Sequence, residues 1–351
     1  MSENKIEEKV KSPVVCIGVD IGTMHLAVAR SDSDNIKITR NVFLEVDRDD
    51  VSLNELSSIS YVEGEDKELF IIGSDAFEFA NIFGKEVSRP MEKGLISPKE
   101  IAAIDVLSLM LKDLIGNTKD KEVYCSYSIP AEAIDSDRSI TYHENVFARI
   151  LNNIGVNHTS VNEGMAVIYS ECAKEKFSGI GISFGAGMAN IAIAYKGIEA
   201  LKFSTSRAGD WIDKQVAKDL DMIPNRVTNV KEKYMKLTGN VNVKNKKTRR
   251  VLEALFYYHK ALIEYTVKRI VKEFEDKVDI EIDESVPIVI SGGTTLPEGF
   301  DSLFKTVISS NELPFEVSEI RLAKNPLTCV ANGLLVRTMA DVKGMGTYIG
   351  G

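Results

Sequence analysis

The stretch Val14-Val15-Cys16-Ile17-Gly18-Val19-Asp20-Ile21-Gly22-Thr23 decides the fold. Val14 to Val19 is a continuous apolar, largely β-branched run, the pattern of a buried strand. Asp20 to Thr23 reads as a tight turn, and Leu26 to Ala29 as the return strand of a hairpin. The chain then echoes itself in Gly179-Ile180-Gly181-Ile182-Ser183-Phe184-Gly185-Ala186-Gly187, where Ser183 stands 163 residues after Asp20. Ile191 to Tyr195 supplies the second return strand. Two such hairpins half a chain apart point to a duplicated α/β domain, each half a sheet with flanking helices.

Outward from the hairpins, strands are expected at Ile36 to Phe43, Ser58 to Tyr61, Leu69 to Ile72, Val123 to Ile129 and Val286 to Ile290. A helix is expected from Pro98 to about Ile115, with Ser97 as N-cap and Pro98 in the first position. Others are expected from about Ser139 to Asn153, from about Asp210 to Leu220 and from Thr328 to about Ala340. Pro224 to Lys277 reads as mostly helical, broken near Gly239 to Lys247. That break carries Lys244, Lys246, Lys247, Arg249 and Arg250, and reads either as a solvated loop or as a contact for a polyanion or filament neighbour. The ends, up to Ser12 and from Gly344 to Gly351, read as disordered.

Composition narrows the function. The chain has 351 residues, 43 Lys and Arg against 52 Asp and Glu, a net charge of −9 and a pI near 5.2. The length suits about two domains. An acidic chain without an Arg-rich tract argues against nucleic acid as the main partner. No run of about 18 apolar residues is present, and the polar start lacks a signal or anchor pattern, so a cytoplasmic protein is expected and membrane attachment is not. Cys16, Cys125, Cys172 and Cys329 form no CxxC pair and read as reduced thiols. His25, His143, His158 and His259 have no metal-ligand spacing.

The chemistry lies in the turns. Gly22, Gly185 and Gly187 lack Cβ atoms, which lets backbone N–H groups approach an anion. One such turn is also an ordinary hairpin bend, but two in corresponding places could grip a polyphosphate from both sides. Asp20 would then offer an oxygen to a divalent cation or its water shell. A third turn, Ser291-Gly292-Gly293-Thr294, follows a buried strand, where open α/β sheets bind ligands. Its backbone could lie flat against a base or sugar, or simply lead into a helix.

The order of the three turns resembles that of the actin, sugar-kinase and heat-shock-chaperone ATPase superfamily over about Val14 to Met339. The resemblance implies a duplicated RNase H-like α/β fold, two lobes around a nucleotide cleft. The first lobe would be residues 1–160 plus 325–351, with a small inserted subdomain about 31–95. The second would be 161–324, with a mainly helical subdomain about 211–285. Leu69 to Ala76 followed by Ser88-Arg89-Pro90-Met91-Glu92-Lys93-Gly94-Leu95-Ile96 resembles a segment of actin and of the bacterial filament proteins MreB and MamK. Ser206 to Asp213 resembles the turn after the second phosphate loop in MreB, and Val230-Lys231-Glu232 the stretch bordering adenine in MamK. Ser160-Val161-Asn162-Glu163-Gly164-Met165-Ala166 is similar to the MreB segment whose Glu orients the attacking water.

That resemblance implies ATP or ADP with Mg²⁺ as cofactors and a homopolymeric filament as partner. Phosphates would lie on Gly22, Thr23, Met24, Gly185, Ala186, Gly187 and Met188. Adenosine would lie on Gly209, Asp210, Lys231, Glu232, Gly292, Gly293 and Thr294. Glu163 and Asp20 would be catalytic, Asp20 through metal-bound water. The family's second phosphate loop normally opens with Asp, and this chain has Ser183 there, so slow hydrolysis is expected. The alternatives are a nucleotide-binding scaffold that does not hydrolyse and a small-molecule kinase of the same fold.

Overall fold

A computed structural model describes residues 12–47, 59–64, 68–83, 87–239, 243–278, 282 and 284–349. The chain opens with β1 (Val14–Ile21), β2 (His25–Arg30) and β3 (Ser33–Arg40). It then forms β4 (Phe43–Val46), β5 (Tyr61–Glu63), β6 (Leu69–Ile72), α1 (Gly73–Phe83), β7 (Met91–Glu92) and β8 (Leu95–Ile96). Next come α2 (Ala103–Ile115), β9 (Glu122–Ile129), α3 (Thr141–Ile154), β10 (Asn157–Asn162) and α4 (Glu163–Glu171). The second half runs β11 (Gly179–Phe184), β12 (Ala189–Tyr195), β13 (Ile198–Thr205), α5 (Gly209–Leu220), α6 (Pro224–Tyr234) and α7 (Lys246–Lys277). It closes with β14 (Val286–Ser291), α8 (Phe300–Ile308), β15 (Val317–Leu322) and α9 (Cys329–Ile349).

The two principal sheets have orders β10-β9-β1-β2-β3 and β13-β12-β11-β14-β15. In each, the founding strand pairs antiparallel with its hairpin partner on one side and parallel with a later strand on the other. The duplication anticipated from the two hairpins is therefore present strand for strand. Gly22 N–H donates to the His25 carbonyl at 3.0 Å, and Gly185 N–H to the Met188 carbonyl at 3.0 Å, so the two turns close alike.

Each half ends in a helix that packs on the other half's sheet, α4 on β11 and β12, α9 on β1 and β9. Glycines allow the close approach. A Cβ on Gly18 of β1 would lie 2.2 Å from the Ala331 carbonyl oxygen, and one on Gly181 of β11 would lie 2.2 Å from that of Gly164. Where α4 and α9 cross, a Cβ on Gly333 would lie 1.8 Å from the Ala166 carbonyl oxygen. Ala166, Val167, Ile168, Val330 and Leu334 are buried there. The two halves thus meet at a pair of helices in backbone contact.

Several elements depart from expectation. Helix α2 starts at Ala103, not Pro98, because Ser97 is buried and its amide is committed to the Pro90 carbonyl at 2.9 Å. The chain is still leaving the β7–β8 hairpin there, and the helix that starts five residues beyond Pro98 follows Ala102 with no side-chain cap. The strand expected over Ile36 to Phe43 divides at Asn41, so that β3 stays in the first principal sheet while β4 joins β6. Asn41 forces the division by turning inward, its amide N–H bonded to the Met24 carbonyl. Helix α9 runs past Ala340 and Gly344 to Ile349, since a helix glycine costs only about 1 kcal/mol without a left-handed stop. Residues 1–11, Ser58, 240–242, Gly350 and Gly351 lie outside the described residues. The four cysteines are buried and free, as expected.

Candidate functional site

The two equivalent turns face each other across a cavity of about 410 Å³. Every site residue expected from the sequence lines it: Asp20, Gly22, Thr23, Met24, Glu163, Gly185, Ala186, Gly187, Met188, Gly209, Asp210, Lys231, Glu232, Gly292, Gly293 and Thr294. Strand ends and helix starts deliver them from both lobes.

The first turn is held by the segment that follows β3. The Asn41 side chain donates to the Gly22 carbonyl at 2.9 Å, Gly94 N–H to Thr23 Oγ1 at 3.0 Å, and Arg89 Nη2 to Met24 Sδ at 3.3 Å. The second turn is held by α5: the amides of Gly209 and Asp210 donate to the Gly185 and Ala186 carbonyls at 3.1 and 2.8 Å. Thr294 Oγ1 also donates to the Gly185 carbonyl, at 2.7 Å. The amides of Thr23, Met24, Ala186, Gly187 and Met188 have no protein acceptor among the described residues. Rigid turns that leave amides free suit a bound polyanion.

Two glycines are required by geometry. A Cβ on Gly187 would lie 2.2 Å from the Gly94 nitrogen and 2.4 Å from Thr23 Oγ1, so the two turns nearly meet at this rim. Gly292 has φ +94°, with the Phe184 carbonyl oxygen 2.3 Å from where its Cβ would be, a left-handed conformation that disfavours other residues. Met188 closes the second turn through its carbonyl. Its side chain packs with Leu95, Ala133 and Ile140.

The floor holds two carboxyls. Asp20 Oδ1 accepts from Ser128 Oγ at 3.1 Å, and Glu163 Oε2 accepts from Ser183 Oγ at 3.3 Å. Burial pushes Asp20 up to about 7. Burial and then repulsion from Asp20 push Glu163 up to about 8, with the Ser183 and Asn190 hydrogen bonds opposing. Ser183 pairs with Asn190 on one side and Ser291 on the other, and Asn190 with Ser204. A neutral polar row therefore crosses the second sheet, with the Ser204 hydroxyl hydrogen-bonded to Asn190. Among the described residues no group of three or more His, Cys, Asp or Glu is arranged to hold a metal. The free turn amides and two carboxyls without a cationic partner among the described residues form a donor set that suits phosphates accompanied by a cation.

The residues expected to border adenosine are more constrained than their motifs suggest. Lys231 Nζ is 2.8 Å from Asp213 Oδ2 and donates to the Gly209 carbonyl at 3.4 Å; Thr228 also donates to Asp213 Oδ2, at 2.7 Å. Burial raises the Asp213 carboxyl above its usual range, with Lys231 opposing. Glu232 binds Arg40 in a forked pair at 2.8 and 3.3 Å, which spans the cleft mouth from β3 to α6. Asp210 pairs with Arg89 at 2.9 Å across the same cleft. Arg40, Asn41, Gly94, Asp213 and Thr228 escaped the sequence reading. Gly94 and Asp213 lay inside quoted segments and were open to notice, whereas Arg40, Asn41 and Thr228 belong to no recognisable motif.

Two lobes of matching topology around a cleft lined by both founding turns define an actin-like fold. Solved structures agree. A MamK double helical filament matches at a TM-score of 0.70 and 18% identity, over 93% of this chain and 99% of that one. MreB5 of Spiroplasma citri bound to ADP matches at 0.64 and 14%, over 95% and 98%. The ethanolamine utilization protein EutJ from Carboxydothermus hydrogenoformans matches at 0.53 and 16%, over 92% and 90%. No curated protein matches by sequence. The volactin family model matches residues 15–338, and the chain belongs to that family. Among the described residues no helix is long and apolar enough to cross a membrane.

Proposed function

We propose that this protein is a cytoplasmic, actin-like filament protein that binds Mg-ATP between its lobes, self-assembles, and hydrolyses the nucleotide slowly. The observation that carries this reading is the pair of identically closed turns, Gly22 to His25 and Gly185 to Met188, facing one cavity. Free amides on both turns would bind phosphate oxygens. Asp20 would hold the water shell of Mg²⁺, which neutralises the phosphates when bound. Glu163 would orient a water toward the terminal phosphate. Ligand contacts shared by both lobes would favour the closed form, and closure would favour assembly. The lobes of this switch would be residues 1–160 with 325–351, and 161–324.

Calorimetry with ATP, ADP and a non-hydrolysable analogue, read beside pelleting and electron microscopy, tests the proposal. Asp20→Ala is expected to weaken Mg-ATP binding tenfold or more and to remove its dependence on Mg²⁺. Unchanged affinity would mean that the cleft is misassigned.

Ser183 supports a second reading, a scaffold that binds nucleotide without turnover. A hydroxyl replaces a charge that would stabilise the metal and the transition state, a loss on the order of 10²-fold. Ser183→Asp would set a third buried carboxyl beside Glu163 and Asp20. The nucleotide-free protein should then melt earlier, and Mg-ATP should raise its melting temperature more than it does in the parent. If turnover also rises, the missing carboxylate was limiting. A variant indistinguishable from the parent in melting and Mg²⁺ response would remove Ser183 from the metal's surroundings.

A further inference from the structure

Two cations share one aromatic ring outside the cleft. The Arg207 guanidinium lies 4.0 Å from the Tyr265 ring centroid, and that of Arg269 lies 5.9 Å from it. Arg269 follows Tyr265 by one turn of α7, while Arg207 comes from the link between β13 and α5. Arg207 also lies 5.3 Å from the ring of Trp211, which meets Tyr258 edge-on at 5.6 Å. A ring face attracts a guanidinium through its quadrupole, so it places the cation without neutralising it. Neither arginine has an acidic partner or a hydrogen-bond acceptor for its side chain among the described residues, and Arg269 Nε is buried with nothing to bond.

The nearby carboxylate does not account for the pair. Asp135, from the segment between β9 and α3, has Oδ1 accepting from the Ser206 amide at 2.7 Å and Oδ2 from the Tyr265 hydroxyl at 2.9 Å. It anchors the ring and the link that carries Arg207, and leaves both guanidiniums without a partner. Their centres are no more than about 10 Å apart, so one anion can be approached by both. Arg207, Trp211, Tyr265 and Arg269 are all half-buried, and charges attract more strongly there than in open water. We infer that Arg207 and Arg269, seated on Tyr265 and beside Trp211, form a binding site for a dianionic phosphate group, carried by free phosphate or by a small phosphomonoester. Two fixed positive charges match a dianion, and each planar guanidinium can offer a fork of two N–H groups to phosphate oxygens. The site stands apart from the nucleotide reading, since none of these four residues lines the cavity. It is nonetheless placed to be felt there: two residues after Arg207, the Gly209 amide holds the second turn at the Gly185 carbonyl.

Trp211 is the only tryptophan of the chain, so its emission reports on this site. Inorganic phosphate and glycerol 3-phosphate are titrated separately into the full chain at about pH 8, where a phosphate group is mainly dianionic. Sodium chloride of matched ionic strength is the reference. A saturable change in emission is expected with a phosphate compound and not with chloride. Arg207→Gln and Arg269→Gln should each weaken binding about tenfold or more, the loss expected when one charge-assisted fork is removed. Arg207→Lys keeps the charge but not the fork, and should fall between the parent and Arg207→Gln. That graded order separates a binding role from a folding defect, and far-UV circular dichroism of each variant checks the fold. Tighter binding of the ester would identify a phosphomonoester as the ligand, and tighter binding of inorganic phosphate would identify the free ion. A response matched by chloride would overturn the site. So would a response that both glutamine variants retain, which would assign the phosphate to the cleft instead. Equal losses in Arg207→Lys and Arg207→Gln would overturn the forked recognition.

Discussion

Glu163→Gln is expected to retain nucleotide binding, lower turnover by about 10²-fold or more, and stabilise the nucleotide-free protein at alkaline pH. Glutamine keeps the shape and the Ser183 contact but cannot accept a proton or ionise. The pH effect follows from burial. Glu163 and Asp20 both have folded-state values raised above those of an unfolded chain. Between the ordinary carboxylate range and about pH 8 the folded protein therefore binds more protons than the unfolded one, and stability falls as pH rises. In Glu163→Gln the repulsion on Asp20 also vanishes. The gain in melting temperature should be largest near pH 8 and should disappear near pH 4. Equal turnover would remove Glu163 from the water-orienting role. A melting difference independent of pH would show that the buried pair is not the source of the effect.

Gly333→Ala is expected to destabilise the protein by about 3 kcal/mol, the upper range for overpacking a tight site. The added methyl would sit 1.8 Å from the Ala166 carbonyl oxygen, where both partners are helix backbone. Neither can give way without parting α4 from α9. Gly344→Ala on the same helix is the control, since nothing lies within 4 Å of its Cβ position. It should be neutral or stabilise by up to about 1 kcal/mol. Denaturant unfolding measures both. A loss below about 0.5 kcal/mol in Gly333→Ala would mean that the helices do not bear on each other as described.

The hairpin echo made the double topology legible, because a buried strand, a small-residue turn and a return strand leave a local pattern in sequence. Asp20 and the two glycine turns were legible for the same reason. Glu163 was found through the segment around it, and it falls in the cavity with Asp20 as neighbour. What was hidden depends on contacts between distant residues. Asn41 holds the first turn through a side chain with no motif, and Arg40 meets Glu232 across 192 positions. Gly18 and Gly181 stood in plain view inside the repeat. Their role, letting a helix from the other half of the chain touch the strand, cannot be read until the helices are placed. Ser97 and Pro98 made a sound local helix start, which lost to the hairpin that holds Ser97 inward.

The exchanged helices carry one more consequence. Because α4 completes the second sheet and α9 the first, a chain cut near residue 175 leaves both fragments with one sheet face stripped of its cover and one helix without a seat. Neither fragment should be soluble alone, yet the two expressed together should find each other and restore a single molecule. Heritable change in either half is then answerable to the other, as in an interlocked pair rather than two beads on a string.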